Sequence, residues 1–479
     1  MSKLSRIYYQ QDPIAWIKTV YPNMVLWDKQ IELLKSVAMN QETWIKSGQS
    51  VSKTFTLALL PLWWLSCFSP ALCLTTAPTW PQVENQLWGN LRLHYNNAEF
   101  NLGGKMLLTE WRKEGDNYAI GISTDKPEKF QGYHNPNILV IVDEGPGLRE
   151  NIWPAIDAVL TSRNSRLVVA GNPLSKVGKF WNACSKPKEG RHLIHITCQE
   201  AAEASEKLSI SGMVTKAWID DKKIEWGEKN PLYISRVLGD FPDETEDTLF
   251  PLGWLEQCIG IVSTEANHVS IGVDVARSEV GDETVITVLD KVTGEVRKMI
   301  ATRTKDLGVI ENQLLGLNQV FIIDEIRPDD IGVGGELGGR LEKTILKNKI
   351  VRVNVAEKAS DNERFANKRA EYYWNLRQMF RDSKIVIPIE YKDKLFAQLS
   401  PQKIDYSKGY IQIESKDKMK ERGLPSPDWA DSLMLATSWD VSIDRVSQKP
   451  GAPEPFHIDN LNRPLMPERR QEEKDWRYL

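Results

Sequence analysis

The chain of 479 residues carries 61 Lys and Arg against 65 Asp and Glu, a formal net charge of -4, which excludes a uniformly basic coat of the histone kind. Its 41% hydrophobic and 26% charged residues exclude a disordered chain and supply apolar material for more than one core. At about 100–200 residues per domain, the length predicts two to four domains.

Five cysteines (Cys67, Cys73, Cys184, Cys198, Cys258) are too few for a disulfide framework, and no two form a C-x-x-C pair. Six scattered histidines add no ligand spacing, so the chain is expected to lack structural zinc and to belong to a reduced, intracellular compartment. The opening residues, MSKLSRIYYQQDP, contain no apolar run of the secretory type, so no signal peptide is expected.

The first chemical signal is ETWIKSGQSVSKTFTLALL, a short apolar strand around Trp44 and Ile45, a small-residue loop, and Lys53-Thr54 opening a helix. This is the setting of a phosphate-binding P-loop, in which backbone N–H groups wrap phosphate oxygens, a lysine reaches the outer phosphates and a hydroxyl meets Mg²⁺. The loop would comprise Ser47, Gly48, Gln49, Ser50, Val51, Ser52, Lys53 and Thr54. In G-x-x-x-x-G-K-[ST], however, glycine would stand at Ser47 and Ser52, so a serine-rich loop before a helix explains the loop by itself equally well. Residues 54–76 carry no charge over a length able to span a bilayer, but Pro61 and Pro70 divide them. A buried helix followed by a buried strand is expected there, with no membrane contact.

Residues 137–144, NILVIVDE, read as a buried parallel strand that delivers two acids to the carboxyl edge of a sheet. Asp143 would hold Mg²⁺ and Glu144 would orient and deprotonate an attacking water. A third apolar run, RLVVAGNP at 166–173, ends at Gly171-Asn172, where Asn172 could sense a γ-phosphate. Taken singly, each is any buried strand followed by a polar turn; three in this order, each ending in suitable chemistry, are far harder to obtain by accident.

The order of P-loop, TTAPTWPQVENQLWGNLR, FQGYHNPNILVIVDEGPGL and VVAGNP, from about Trp27 to Phe241, closely resembles the ATPase half of phage terminase large subunits. The resemblance implies ATP as ligand and an adenine contact from Gln30. The family commonly has an arginine and a second glycine where this chain has Gln49 and Ser52. Arg149 and Arg163 are the nearest candidates to supply the arginine across a ring interface.

The stretch RVLGDFPDETEDTLFPLGWLEQ, acidic and broken by prolines and glycines, reads as a linker with a short helix. Beyond it, β-branched runs and a turn at Thr293-Gly294 predict an antiparallel meander, with Asp274 in the middle of its first strand. A carboxylate there is costly to bury unless paired or metal-bound. Asp329 and Asp330 stand where a strand would meet a Gly-rich turn, Asp428 at a helix start, and Asp431 one turn further on the same face. Alone, Asp428 is a plausible helix cap and Asp329-Asp330 a plain turn. Together they are the carboxylates that two-metal phosphodiester cleavage needs, and all-oxygen donors suit Mg²⁺ or Mn²⁺.

GVDVAR, DDIGVGGEL, FANKRAEYYW, QLSPQKIDY, IESKDKMKERG and SPDWADSLMLA, covering nearly all of 267–440, resemble the RNase H-like nuclease of the same terminases. Asp274 and Asp428 match directly; Asp329 is preferred over Asp330, with Asp324 a weaker rival. Lys368, Arg369, Lys416, Lys418, Lys420 and Arg422 either grip DNA phosphates or form solvated helix faces.

The expected fold is α/β: a P-loop ATPase with a mainly parallel sheet (1–240), a linker (241–266), an RNase H-like mixed-sheet nuclease (267–445) and a flexible tail (446–479). The resemblance implies ATP-driven translocation of double-stranded DNA into a prohead and metal-dependent cutting of concatemers. Its implied partners are the portal protein, the small terminase subunit and further copies of the chain in a ring, within the host cytoplasm. Two other readings remain at this stage, a cellular helicase-nuclease and an ATPase-dead DNA-binding adaptor.

Overall fold

The computed structural model describes residues 3–124, 126–263, 268–276, 281–330, 333–406 and 409–439. The expected tail and the end of the expected linker lie outside them. Two compact units are present. The first takes the stretch up to Gly253 together with Phe396–Gln402 and Ser415–Ser426; the second takes Trp254–Leu395, Lys403–Glu414 and the stretch from Pro427 onward.

Among the described residues the first unit holds an eight-stranded sheet built from β1 (Glu42–Ser47), β2 (Ala71–Thr76), β3 (Lys105–Met106), β4 (Glu110–Arg112), β5 (Asn117–Gly121), β6 (Asn137–Val142), β7 (Asn164–Gly171) and β8 (Arg191–Ile196). The spatial order is β3-β4-β5-β2-β6-β7-β1-β8. The six strands from β5 to β8 in that order run parallel, and β4 and β3 continue the sheet antiparallel. β2 is buried at every residue and β6 at all but its first, the signature of strands covered on both faces, where continuous apolar runs replace alternation. Trp44, Leu72, Leu74, Ile138, Val140, Leu167 and Val169 form one core with Trp153, Ile156 and Phe180 from the covering helices.

The uncharged stretch after the P-loop forms two helices, Lys53–Leu57 and Leu59–Cys67, leading into β2. Every residue of the second is buried, and Pro61 sits in its first turn, where the missing N–H is tolerated. No helix among the described residues is long and apolar enough to cross a membrane.

The second unit is organised by a four-stranded sheet of β9 (His268–Asp274), β10 (Thr284–Asp290), β11 (Val296–Thr302) and β12 (Ile322–Pro328), in the order β11-β10-β9-β12. β9, β10 and β11 form the antiparallel meander, and β12 joins β9 in parallel, so the sheet is mixed. The turn between β10 and β11 uses Gly294 at φ 71, the left-handed region that glycine enters without penalty. Helices Leu307–Val320 and Val333–Leu341 close one apolar core through Ile310, Leu314, Leu317, Leu337 and Leu341.

Two local expectations are corrected. Asp274 is the last residue of β9, because the Thr284 hydroxyl donates to the Ala276 carbonyl and accepts from the Ala276 N–H, ending the ladder just beyond Asp274. The glycines of DDIGVGGEL from Gly334 on belong to the helix Val333–Leu341; Gly332 lies outside the described residues. A Cβ on Gly334 would stand 1.7 Å from the Asp329 carbonyl, so glycine is what lets this helix begin tight against the tip of β12.

Candidate functional site

In the first unit the registers Lys46↔Gly171 and Val142↔Val169 bring the carboxyl ends of β1, β7 and β6 to one edge of the sheet. β7 lies between the other two, so Asn172 is flanked by the P-loop on one side and by Asp143-Glu144 on the other. The Asn172 amide donates to the Ser47 carbonyl at 2.7 Å and holds the start of the loop.

The loop is walled by backbone. The Gly48 N–H donates to the Ile196 carbonyl at 2.9 Å, and the Gln49 N–H to the Arg236 carbonyl at 2.7 Å. A Cβ on Gly48 would lie 2.6 Å from Cys198 Sγ and 2.9 Å from the Arg236 carbonyl, so this glycine is demanded by close approach. Ser50 and Ser52 both have positive φ, 55 and 68. Ser52 thus adopts the left-handed backbone natural to the glycine it replaces, and its Oγ accepts a hydrogen bond from the Trp27 indole at 3.2 Å.

Lys53 is buried; its ammonium donates to the Gly48 carbonyl at 3.1 Å and stands 3.8 Å from Glu144 Oε1. The Thr54 hydroxyl donates to Asp143 Oδ2 at 2.7 Å. Burial foremost, and then the neighbouring Glu144 charge, raise the Asp143 carboxyl to about 6, against the pull of Thr54 and Lys53. Glu144 is itself left-handed at φ 53, a strained conformation of the kind found at functional sites. A buried carboxylate, a hydroxyl and an ammonium at one strand edge fit a magnesium–triphosphate ligand in donor type and charge. Gln30 is 4% exposed; its amide accepts from the Trp27 N–H and donates to Thr56 Oγ1, linking two helices beside the loop. Val51 is buried within the loop.

In the second unit, parallel pairing sets Pro328 opposite Val273, and the Asp329 N–H donates to the Val273 carbonyl at 3.3 Å. Asp274 and Asp329 are therefore neighbours at the tips of β9 and β12. The helix Asp428–Ala436 lies directly on β9, where the Ser432 hydroxyl meets the Gly272 carbonyl at 3.1 Å and Thr287 Oγ1 at 2.8 Å. Asp428, one turn earlier and 6% exposed, accepts from the Glu283 N–H at 2.7 Å just beyond Asp274, so it reaches the same edge. It is the first residue of the helix, with Pro427 at the cap position.

The other acids have different surroundings. Asp330 pairs with Arg352 at 2.9 Å, and Arg352 also bonds Glu342. Asp431, 4% exposed, accepts from Tyr373 Oη at 2.5 Å and lies 3.6 Å from Arg369. Asp324 pairs with His268 at 2.7 Å, near the start of β9 and away from the edge that bears Asp274. Among the described residues no three His, Cys, Asp or Glu side chains are assembled as a metal-holding group. The three edge acids nevertheless offer only hard oxygen donors, the type that Mg²⁺ and Mn²⁺ take.

The basic residues separate. Arg369 is turned inward, Lys368 pairs with Glu357 at 2.5 Å, and the helix Lys416–Glu421 belongs to the first unit. Sequence reasoning missed the walls supplied by Cys198 and Arg236, whose positions follow no motif. It also missed the Arg369–Tyr373–Asp431 contact, although the four-residue spacing of Arg369 and Tyr373 places both on one helix face.

No protein-family model matches the chain. A probable terminase large subunit of Enterobacteria phage P7 is 23% identical over 257 residues, 50% of this chain and 50% of that protein, so the chain spans about half the length of this curated relative. The large terminase of a thermophilic bacteriophage aligns over 86% of this chain and 98% of its own, at 12% identity and a TM-score of 0.41. The nuclease domain of the large terminase subunit gp2 of bacterial virus Sf6 aligns over 39% of this chain and 97% of its own, at 19% identity and a TM-score of 0.32. The sequence match, on a chain that carries a walled phosphate-type loop, an Asp-Glu strand end and then a second sheet with acids at its edge, makes this chain similar over half its length to a probable phage terminase large subunit.

Proposed function

We propose that this chain couples ATP hydrolysis to translocation of double-stranded DNA through a portal into a prohead, and cuts concatemeric DNA with a second, divalent-metal-dependent site. The observation that carries the reading is the convergence of Lys53, Thr54, Asp143, Glu144 and Asn172 on one sheet edge. In this reading the amides of the loop from Ser50 to Thr54 bind phosphate oxygens, while Lys53 leaves the Gly48 carbonyl for the outer phosphates. Glu144 orients the attacking water and takes its proton, and Asn172 reports the outer phosphate to the loop through Ser47. Gln30 lies on the adenine side. Mg²⁺, held through Thr54 and Asp143, supplies charge neutralisation at the phosphates.

Asp274, Asp329 and Asp428 form the cutting edge in the second unit and would hold Mg²⁺, with Mn²⁺ able to replace it. Partners on this reading are duplex DNA, the portal protein, the small terminase subunit and sister copies in a ring, in the host cytoplasm. The test is ATP turnover by the purified chain with and without duplex DNA and portal. Turnover that DNA or portal stimulates in the wild type, and that Lys53→Ala abolishes, supports the motor. Absence of turnover under every condition leaves the DNA-binding adaptor.

A further inference from the structure

The buried contact among Arg369, Tyr373 and Asp431 lies behind the acidic edge of the second unit. Helix Lys368–Arg381 is started by Asn367, whose side chain accepts from the Ala370 N–H, and it packs against helix Asp428–Ala436. From it Tyr373, fully buried, donates to Asp431 Oδ1 at 2.5 Å. The Arg369 guanidinium donates through Nη1 to the Glu414 carbonyl at 2.9 Å, stacks 4.9 Å from the Tyr373 ring centroid, and brings Nη2 to 3.6 Å from the same Asp431 oxygen. Asp431 is three residues after Asp428, so a pull on its carboxylate sets the rotation and height of the helix turn that presents Asp428.

We propose that Arg369 and Tyr373 are positioning residues of the nuclease site, acting through Asp431, which anchors the helix bearing Asp428. This rests on the nuclease reading of the second unit. Both contacts fall on one oxygen of a buried aspartate, so removing the phenol or the guanidinium loosens the carboxylate that fixes the helix turn bearing Asp428, and removing Asp431 leaves Arg369 buried without its counter-charge. Groups that orient metal ligands typically alter metal affinity or activity by about 10–100-fold when removed. Arg369 also ceases to be a candidate for gripping DNA phosphates.

The test uses the full chain, with Mn²⁺ binding followed by the electron paramagnetic resonance of the free ion and duplex cleavage followed at varied Mn²⁺. Tyr373→Phe removes one hydroxyl and keeps the ring. It is expected to weaken Mn²⁺ binding by roughly 10-fold or more, with kcat returning close to wild type at saturating Mn²⁺ and KM for DNA unmoved. Arg369→Lys should fall between wild type and Arg369→Gln in Mn²⁺ affinity, since lysine restores the charge without the fork. Asp428→Asn should stay inactive at every Mn²⁺ concentration.

Unchanged Mn²⁺ affinity in Tyr373→Phe overturns the proposal, whether or not Asp431→Asn folds. So does a rise in KM alone for Arg369→Gln, which would return that residue to phosphate contact. If Asp431→Asn folds and is as irrecoverable as Asp428→Asn while Tyr373→Phe is normal, Asp431 is itself a ligand. A wild-type chain that neither binds Mn²⁺ nor cuts DNA removes the nuclease reading, and this proposal falls with it.

Discussion

Gly272 offers a direct test of how the acidic edge is built. Helix Asp428–Ala436 lies so close to β9 that a Cβ at Gly272 would stand 2.1 Å from the Ser432 carbonyl oxygen, 2.3 Å from the Ala436 nitrogen and 2.9 Å from the Ala436 Cα. All three are backbone atoms, so no side-chain rotation relieves the clash in Gly272→Ala. Restoring ordinary contact at 3.4 Å requires the helix to retreat by about 1.3 Å, and overpacking of this kind typically costs about 1–3 kcal/mol. With a rigid strand on one side and a rigid helix on the other, a value near the top of that range, about 3 kcal/mol, is expected. The retreat takes Asp428 away from Asp274 and Asp329, and a misplacement of about 1 Å can lower the rate on the order of 100-fold. Thermal melting of the full chain should therefore show a lower transition for the second unit, and plasmid cleavage in Mn²⁺ should fall at a temperature where the variant remains folded. ATP turnover serves as the internal control. A Gly272→Ala chain that melts and cuts like wild type would refute the claim that this contact sets the edge.

Three further outcomes are expected. Lys53→Ala and Glu144→Gln should each abolish ATP-driven DNA translocation while leaving Mn²⁺-dependent cleavage largely intact, as measured by packaging and plasmid-digestion assays on the same preparations; normal packaging by Glu144→Gln would remove that residue from the mechanism. Asp274→Asn should eliminate cleavage without lowering the melting temperature, since it relieves like-charge repulsion at the edge, and EDTA should do the same to the wild type; cleavage that survives EDTA would discard the metal site. Burial pushes the Glu244 carboxyl up to about 7, against hydrogen bonds from Ser175 and the Leu252 backbone. The folded state thus favours its protonated form: its contribution to stability is complete below about pH 4.5 and is lost as pH rises through 7. Glu244→Gln should accordingly stabilise the first unit at pH 8 by on the order of 2 kcal/mol and change little at about pH 4, as denaturant melts at the two pH values would report.

The legible parts of this protein are those where burial dictates composition. NILVIVDE and RLVVAGNP announce themselves because parallel strands covered on both faces need unbroken apolar runs, and the chemistry follows where the run stops. The end of β9 was not legible, since a single threonine hydroxyl at Thr284 closes the ladder from a neighbouring strand. The helix Val333–Leu341 was hidden because glycine normally signals a turn, whereas here it answers to the carbonyl of Asp329. Charge runs were the least informative: Arg369 and Lys418 look alike in sequence, yet one is enclosed against Asp431 and the other is exposed on a helix of the first unit. Side-chain partners from distant segments make that difference, and no local pattern encodes them.

The two serines held at positive φ give the P-loop a mechanical character of its own. Glycine at these positions would occupy left- and right-handed basins at little energetic difference, whereas an L-residue held left-handed sits about 1–2 kcal/mol uphill and stays there only because its surroundings hold it. With Ser52 pinned by the Trp27 indole and Gly48 pressed between Cys198 and the Arg236 carbonyl, the loop is stiff at both ends. A stiff loop loses little freedom when it closes on a ligand, which favours tight holding. The loop's left-handed shape is therefore maintained by its walls, so a change at Trp27, Cys198 or the backbone of Arg236 would be felt first in the two serines.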